Sequence, residues 1–320
     1  MTTRTRLFHC LSDSRWHTGP SLAREFGVSR AAIGKAVTAL EGMGLMVERS
    51  RHGYRIPPST RPPRADLVAG SLPPGARQQL ASLQSLYRTD STNSWLLRHP
   101  HARQAGGAHI CIAASQTAGR GRLGRVWDSP AGAGLYLSVS LVRSGLPAPA
   151  TPLAIATLVG EAIEAVVPGA RVALKWPNDL LLQGGKLGGI LMESRGEYGG
   201  QWQLVVGIGL NLEQPAFGGR TSLRAAGLPV PRAEDLAVGL LSRILPTLPL
   251  VTADPGPWLD GWRQRDYYRG REVRVQGPEQ IWEGRAAGIE ADGALCLETA
   301  AGLERINGGD VSLREAQWTG

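Results

Sequence analysis

The segment Gln116-Thr-Ala-Gly-Arg-Gly-Arg-Leu-Gly-Arg-Val-Trp127 directs the interpretation of the whole chain. Its glycines alternate with arginines, so backbone N–H groups and guanidinium groups can converge on one anion. The spacing Gly119-x-Gly121-x-x-Gly124 also matches the dinucleotide fingerprint, which requires a helix directly after the glycines. Residues 126–134 contain a proline and a glycine-rich turn instead. We therefore reject a Rossmann site and predict an anion-binding loop, against the alternative of a surface loop without function.

Length and composition indicate a globular protein of several domains. The chain has 320 residues, of which 42% are apolar and 19% charged, which is typical of folded domains. Its three cysteines are far apart, which argues against a zinc site or a disulfide framework. The N-terminus lacks the apolar core of a signal peptide, and no uninterrupted apolar run approaches about eighteen residues. We expect a cytoplasmic protein with no membrane partner.

The distribution of charge permits an anionic partner. The net charge is +8, and residues 1–60 carry nine basic against four acidic side chains. Only three of the 35 basic residues are lysines, namely Lys35, Lys175 and Lys186. A lysine kept against this arginine bias suggests that a compact ammonium charge is required at that position.

Residues 3–56 predict helices followed by a hairpin. We expect Ser21 to cap a second helix, Gly27 to make the turn, and Ser29 to cap a third helix. Helix, glycine turn and helix are typical of a helix-turn-helix, and the hairpin at 45–56 would form its wing. We predict a winged helix-turn-helix domain at 1–60 that binds DNA, against the alternative of a helical dimerisation module. The candidate DNA-binding residues are Ser29, Arg30, Ala31, Lys35, Arg49 and Arg51.

The rest of the chain predicts an α+β multidomain protein. Three proline pairs indicate a stiff linker at 61–80. Residues 81–269 alternate strands with few crossover helices, so we expect a mixed β-sheet with helices packed mainly on one face. Five short strands separated by glycine turns follow in 270–320 and predict an SH3-like β-barrel. The last of them was expected at 311–313.

Polar clusters fall at strand ends and tight loops of the central domain. They are Asp90-Ser-Thr-Asn93, the 116–127 loop, Lys175-Trp-Pro-Asn-Asp179 and Lys186-Leu-Gly-Gly-Ile190, with Gly207-Ile-Gly-Leu-Asn211 behind them. A hairpin turn between Asp179 and Lys186 can bring these two side chains together. Cations, glycine loops and a carboxylate suit the joining of a small carboxylic acid to a phosphate ester. Taken singly, each cluster has a simpler explanation. Asp90-Ser-Thr-Asn93 could serve only as a helix cap, and Lys186 could be an ordinary solvated lysine.

Together, and in this order, the motifs resemble those of biotin protein ligases over nearly the whole chain. The N-terminal helix-turn-helix makes the sequence similar to the bifunctional bacterial form, a ligase that is also a biotin-operon repressor. The resemblance implies that biotin and ATP, with Mg²⁺, give biotinyl-5′-adenylate. A lysine of the biotin carboxyl carrier protein then takes the biotin as an amide. It also implies a homodimer, promoted by the adenylate, that binds operator DNA.

The resemblance also implies roles for individual residues, without naming metal ligands. Lys186, Arg122 and Asp179 would be catalytic, with Asp179 orienting the acceptor lysine. Two alternative functions stay open, namely a lipoate ligase-like enzyme and a biotin-sensing DNA-binding regulator without ligase turnover. Biotin would be bound by Ser91, Thr92, Asn93, Gln116, Arg120, Gly121, Arg122 and Lys186, and the nucleotide by Arg120, Arg122, Trp127, Asn178, Lys186, Asn211 and Arg314.

Overall fold

A computed structural model describes residues 2–42, 45–57, 60–99, 106–196, 200–277 and 280–307, and the backbone of 312–315. Three helices and a two-stranded hairpin form its N-terminal part. The helices are α1 (Thr3–Leu11), α2 (Gly19–Phe26) and α3 (Arg30–Gly42), and the antiparallel strands are β1 (Glu48–Ser50) and β2 (Gly53–Arg55).

The second helix begins earlier than the sequence predicted. Thr18, rather than Ser21, is its N-cap, and the Thr18 hydroxyl accepts a hydrogen bond from the Ser21 backbone N–H. Both hydroxyl residues can cap a helix, and Pro20 fits the first turn. Gly27 closes the helix in a left-handed conformation with φ of 67°. Ser29 caps α3 as predicted, since its side chain accepts the Ala32 N–H at 3.1 Å.

The segment predicted as a linker, 61–80, instead contains two short helices, α4 (Ala65–Ser71) and α5 (Pro74–Gln78). Val68, Leu72 and Ala76 recur every four residues and are buried in the core of the central domain. Val68 lies in α4, Ala76 in α5 and Leu72 in extended backbone between them, so each part of the segment buries one apolar side chain. The proline pairs therefore separate short docked helices.

The central domain is built on a seven-stranded mixed sheet of order β3-β4-β5-β9-β8-β7-β6, in which only β3 and β4 pair in parallel among the described residues. Most helices lie on one face of the sheet, as predicted. Ile110 and Ile112 belong to that helix-covered core, whereas Cys111 contacts Leu96 of α6 on the opposite face. The elements are β3 (Leu80–Thr89), α6 (Thr92–Arg98), β4 (Ala108–Gln116), β5 (Gly134–Ser144), α7 (Thr151–Val166), β6 (Val172–Lys175), β7 (Asp179–Leu182), β8 (Gly185–Gly196), β9 (Gln201–Asn211), α8 (Ala233–Ala253) and α9 (Gly256–Arg265).

Helix α8 is the one described helix that is long and apolar enough to cross a membrane by length and composition. It has 21 residues and a mean hydropathy of 1.6 over its most apolar window. Its side chains Leu236, Leu240 and Ile244 are buried against α7 and the sheet. In this fold α8 is a core helix, and its apolar surface is used within the domain.

The C-terminal part is an antiparallel sheet of order β13-β12-β11-β10-β14. It packs on the central domain, because Val273 and Leu297 belong to the same apolar core as α7. This bears out the predicted fold class at the level of a C-terminal antiparallel sheet; its closure into an SH3-like barrel stays a prediction. Val311, where the last strand was expected to begin, lies outside the described residues. The strands are β10 (Glu272–Gln276), β11 (Ile281–Ile289), β12 (Leu295–Thr299), β13 (Gly302–Ile306) and β14 (Ser312–Glu315).

Candidate active site

A cleft of about 510 Å³ opens at the ends of the central strands and is bordered by the 116–127 loop. Strands β7, β8 and β9 supply its floor, and the N-terminal end of α6 supplies one wall. Residues from distant parts of the sequence, from Ser91 to Tyr268, thus meet only after the sheet has formed. The lining includes most of the predicted site residues, namely Ser91, Thr92, Asn93, Gln116, Arg120, Gly121, Arg122, Trp127, Asn178, Asp179 and Lys186.

The arginine-glycine loop is an ordered hairpin. The Gly121 N–H donates to the Arg125 carbonyl at 2.7 Å, and the Trp127 N–H donates to the Gly119 carbonyl at 2.9 Å. Leu123 occupies the left-handed region with φ of 60° at the tip, a conformation that is uncommon for residues other than glycine. These bonds set the internal shape of the loop, and its arginines line the cleft.

Two glycines of β9 make room for side chains of the site. Residues 207 and 209 point to the same face of the strand, because side chains alternate along it. A methyl group at Gly207 would overlap the Asn93 amide, and one at Gly209 would lie 2.7 Å from the Trp127 indole. The glycines of the Gly207-Ile-Gly-Leu-Asn211 motif are therefore steric requirements of the pocket.

Hydrogen bonds join the predicted biotin-binding residues into one network. The Gln116 carbonyl accepts the Thr92 N–H at 2.8 Å, and its amide donates to the Ser129 hydroxyl at 2.8 Å. Ser138, which the sequence analysis missed, is fully buried between Thr92 and Asn93 of α6. Its hydroxyl oxygen is 2.7 Å from the Thr92 hydroxyl and 2.6 Å from the Asn93 carbonyl oxygen. Satisfied buried networks of this kind hold their members in one arrangement.

Asp179 and Lys186 lie together, as the hairpin predicted. The Lys186 Nζ is 2.6 Å from a carboxylate oxygen of Asp179, and both side chains are partly buried. The same ammonium lies 5.5 Å from the ring centroid of Trp127, within range of a cation–π interaction. The loop arginines, the lysine and the aspartate therefore face one cavity.

Two residues predicted to bind the nucleotide use their side-chain amides in hydrogen bonds to backbone carbonyls. The Asn178 amide donates to the Ile190 carbonyl at 2.7 Å, although the residue still lines the cleft. Asn211 is buried behind the wall, where its amide donates to the carbonyls of Lys186 and Thr221 at 3.3 and 3.1 Å. It fixes the backbone of the lysine, and its predicted contact with the nucleotide stays a prediction. Arg314 lies on β14, and its side chain is outside the described part of the chain.

Residues 218–220 close one side of the cleft. The Lys186 N–H donates to the Gly219 carbonyl at 2.8 Å, and the Thr221 N–H donates back to the Lys186 carbonyl at 3.0 Å. Arg220 thereby joins the lining. A glycine pair next to an arginine was the available signal. Further lining residues that the sequence analysis did not select for the site are Tyr136, Lys175, Gly218 and Tyr268.

The start of α6 is held by a forked ion pair. Both Asp90 carboxylate oxygens accept from the Arg98 guanidinium, at 2.6 and 2.8 Å. That contact holds the pKa of Asp90 well below its usual range. Ser91 then caps the helix, so the carboxylate and the cap together fix where Thr92 and Asn93 begin.

The predicted DNA-binding residues occupy two surfaces of the N-terminal part. Arg30, Ala31 and Lys35 are exposed along α3, and Ser29 caps its start. In the wing, Arg49 is ion-paired with Glu41 at 2.6 Å, while the Arg51 guanidinium lies 3.2 Å from the His52 ring. Both wing arginines therefore contact other side chains. No side-chain contact is described for Arg30 or Lys35 of α3.

Comparison with known proteins decides the family. The chain is 35% identical to the bifunctional ligase/repressor BirA of Escherichia coli (strain K12), over 99% of this chain and 98% of that protein. The chain belongs to the family of bifunctional biotin ligase/repressors. Its segments match models of an HTH domain at 3–55, of the biotin/lipoate A/B protein ligase family at 85–211, and of the biotin protein ligase C-terminal domain at 269–314.

Further relatives of this biotin ligase/repressor agree. The biotin–[acetyl-CoA-carboxylase] ligase of Mycobacterium tuberculosis is 37% identical over 83% of this chain and 98% of its own length. The solved biotin protein ligase of Aquifex aeolicus, in complex with biotin and ATP, superposes with a TM-score of 0.62 and 28% identity. It covers 75% of this chain and all of that one. The predicted family, the ligase with an appended helix-turn-helix domain, is confirmed.

Proposed function

We propose that this ligase joins biotin to ATP and passes the biotin to a lysine of biotin carboxyl carrier protein. The observation that carries the proposal is the Lys186–Asp179 pair on the cleft floor, facing the arginines of the 116–127 loop. In the first step a biotin carboxylate oxygen bonds to the α-phosphorus of ATP, and pyrophosphate leaves. In the second the acceptor amine bonds to the acyl carbon, loses a proton, and AMP leaves.

The polar network at the start of α6 suits the biotin ring system. Ser91, Thr92 and Asn93 supply hydroxyl and amide groups, and Gln116 holds them in register. Because Ser138 and Ser129 satisfy the buried sides of this network, its geometry is set before a ligand arrives. Preorganised polar groups of this kind lower the entropic cost of binding.

The cations suit the charge that develops during adenylation. Arg120, Gly121 and Arg122 would close over the carboxylate and the phosphates, while Lys186 would bridge the carboxylate and the α-phosphate. Fixed cations in a water-poor cleft stabilise such a transition state strongly. Trp127 and Asn178 would border the nucleotide. Asp179 would orient the acceptor amine and take up its proton.

The part of the chain that the structure describes contains no group of three or more His, Cys, Asp or Glu side chains that could hold a metal ion. Asp179, the carboxylate facing the cleft, is already paired with Lys186. Mg²⁺ commonly keeps several waters and binds substrate phosphates. We therefore assign the Mg²⁺ of the reaction to ATP, and no residue to the metal.

We propose in addition that the N-terminal domain is a biotin-responsive repressor module acting on biotin-synthesis operators, in a cytoplasmic homodimer that the adenylate promotes. The exposed start of α3, with Arg30 and Lys35, supports DNA contact. The N-terminal core also extends onto the central sheet through Tyr87 of β3 and Ala114 of β4. Both strands lead directly into site residues, which supports coupling between ligand and DNA.

The deciding experiment is ATP–pyrophosphate exchange by the purified full chain, with biotin or lipoate as the acid. Biotin-dependent exchange supports the proposal, and lipoate-dependent exchange would assign the enzyme to the lipoate class. Biotin binding without any exchange would leave a sensor without turnover. A gel shift of operator DNA that strengthens with biotin and ATP tests the repressor part, and indifference to both ligands would reject it.

A further inference from the structure

Glu193 of β8 lies between the arginine loop and the biotin pocket, outside every motif that the sequence analysis singled out. Its carboxylate oxygen Oε2 accepts the Arg120 guanidinium at 2.8 Å. The same oxygen accepts the Asn93 amide, also at 2.8 Å. Its side chain is 25% exposed, so water competes only partly for these bonds. One oxygen atom therefore receives one donor from the loop and one from the pocket.

The contact with Asn93 determines how that amide is oriented. Its two N–H groups donate to Glu193 and to the Leu191 carbonyl, the latter at 3.2 Å. Its carbonyl oxygen faces the Ser138 hydroxyl at 2.6 Å. A reversed amide would place its NH₂ against Ser138 and its carbonyl oxygen against the carboxylate, which is repulsive. Glu193 thus imposes one orientation on a side chain that lines the pocket.

The contact with Arg120 ties the loop to the sheet at the base of the hairpin. Within the loop, the bonds across Gly119, Gly121 and Arg125 are backbone bonds that set its internal shape. The N–H groups of Thr117 and Ala118 donate to the carbonyls of Thr89 and Asp90, both at 2.9 Å, and fix the start of the loop beside β3. Among the described contacts, the Arg120–Glu193 ion pair is a side-chain bond from a loop arginine to the sheet.

We propose that Glu193 is a positioning residue that couples the place of the arginine loop to the orientation of Asn93. This rests on the proposed biotin-binding role of the pocket. Both donors share one charged acceptor, and charge-assisted bonds are roughly twice as strong as neutral ones. Loss of the carboxylate removes one bond from the loop and one from the amide at the same time. Its effect therefore falls on loop order and on biotin affinity.

The test compares Glu193→Ala and Glu193→Gln with wild type by two measurements that need no turnover. The first is the rate of tryptic cleavage after Arg122 and Arg125 in the ligand-free protein, mapped by mass spectrometry. The second is the dissociation constant of biotin, measured by calorimetry. For Glu193→Ala we expect cleavage several-fold faster and biotin binding about tenfold weaker. Glu193→Gln, which keeps an acceptor oxygen, should fall between the alanine variant and wild type.

Glu213→Ala is the matched control, because it removes another partly exposed carboxylate that pairs with an arginine, Arg224. It should change neither measurement. If Glu193→Ala folds and both measurements stay within about twofold of wild type, the coupling is wrong. Should the alanine variant fail to fold, Glu193→Gln decides on the same two measurements. Wild-type protein that fails to bind biotin would refute the proposed function, while the cleavage rates would still decide whether Glu193 holds the loop.

Discussion

Lys186 and Asp179 lie across one tight hairpin, with the lysine Nζ 2.6 Å from a carboxylate oxygen. The hairpin pairs β7 with β8 through a register shift between Leu180 and Leu181. Asp179 also pairs in register with Gly189, where a methyl group would lie 3.6 Å from the carboxylate, at ordinary contact distance. An ammonium and a carboxylate are thus presented to the cleft from adjacent strands.

Replacing Lys186 with alanine should lower biotin-dependent ATP–pyrophosphate exchange by about 100-fold or more, because a preorganised cation at a developing charge contributes on this scale. The measurement is the initial exchange rate at saturating ATP. Lys35→Ala, a change at an exposed lysine of α3, is the control and should leave the rate unchanged. A Lys186→Ala rate near that of wild type would remove the lysine from the chemistry.

The Gly209→Ala substitution should impair adenylate formation while sparing the fold. Its methyl group would lie 2.7 Å from the Trp127 indole, closer than real Cβ contacts allow, so the tryptophan must move. We expect the KM for ATP to rise about tenfold. A methyl group at Gly75 in α5 meets no described atom within 4 Å beyond its chain neighbours and its own helix backbone, so Gly75→Ala should leave the KM as in wild type. An unchanged KM in Gly209→Ala would show that the position of Trp127 is not needed.

The stability of the protein should depend on pH through Asp266. Burial raises the pKa of this carboxyl to about 6, and its Oδ2 has no hydrogen-bond partner among the described residues. Since the folded-state pKa exceeds the unfolded value near 4, the group favours the folded state below pH 4. As the pH rises from about 4 through about 6, the protein loses this contribution to its free energy of unfolding, which amounts to about 3 kcal/mol.

Asp266→Asn should therefore raise the free energy of unfolding at pH 8 and flatten its change between pH 4 and 8. The amide oxygen can still accept the Tyr268 N–H, which Asp266 accepts at 3.1 Å. Urea titrations at several pH values provide the measurement. Asp254→Asn, at an exposed position that accepts the Gly256 N–H in a similar way, should follow the wild-type profile. A variant no more stable than wild type at pH 8 would contradict the assignment.

DNA affinity should depend more on α3 than on Arg49 of the wing. Arg30 is exposed at the start of α3, whereas Arg49 is ion-paired with Glu41. Arg30→Ala should weaken operator binding about tenfold and reduce the salt slope by about one if it contacts a phosphate. Fluorescence anisotropy at several salt concentrations measures both. Arg224→Ala, which removes an exposed arginine of the central domain, should alter neither.

Much of the fold could be read from local patterns. Alternation in 134–142 predicted β5, the Gly27 turn and the Ser29 cap predicted the second half of the helix-turn-helix, and turn glycines predicted the C-terminal strands. These features depend on neighbours within a few residues of one another. The two short helices at 61–80 were not predicted, because the burial of Val68 and Ala76 depends on α8, which follows much later in the chain.

The sequence by itself determined the family, the order of the motifs and the proximity of Asp179 to Lys186, because each depends on local chemistry along the chain. Only the tertiary structure decided which partners those residues meet. Ser138 lies 46 residues from Thr92, and Glu193 lies 73 residues from Arg120. Asn211 turned out to hold the Lys186 backbone from behind the cavity wall. Such contacts arise from sheet pairing between distant strands, and no local pattern of residues specifies them.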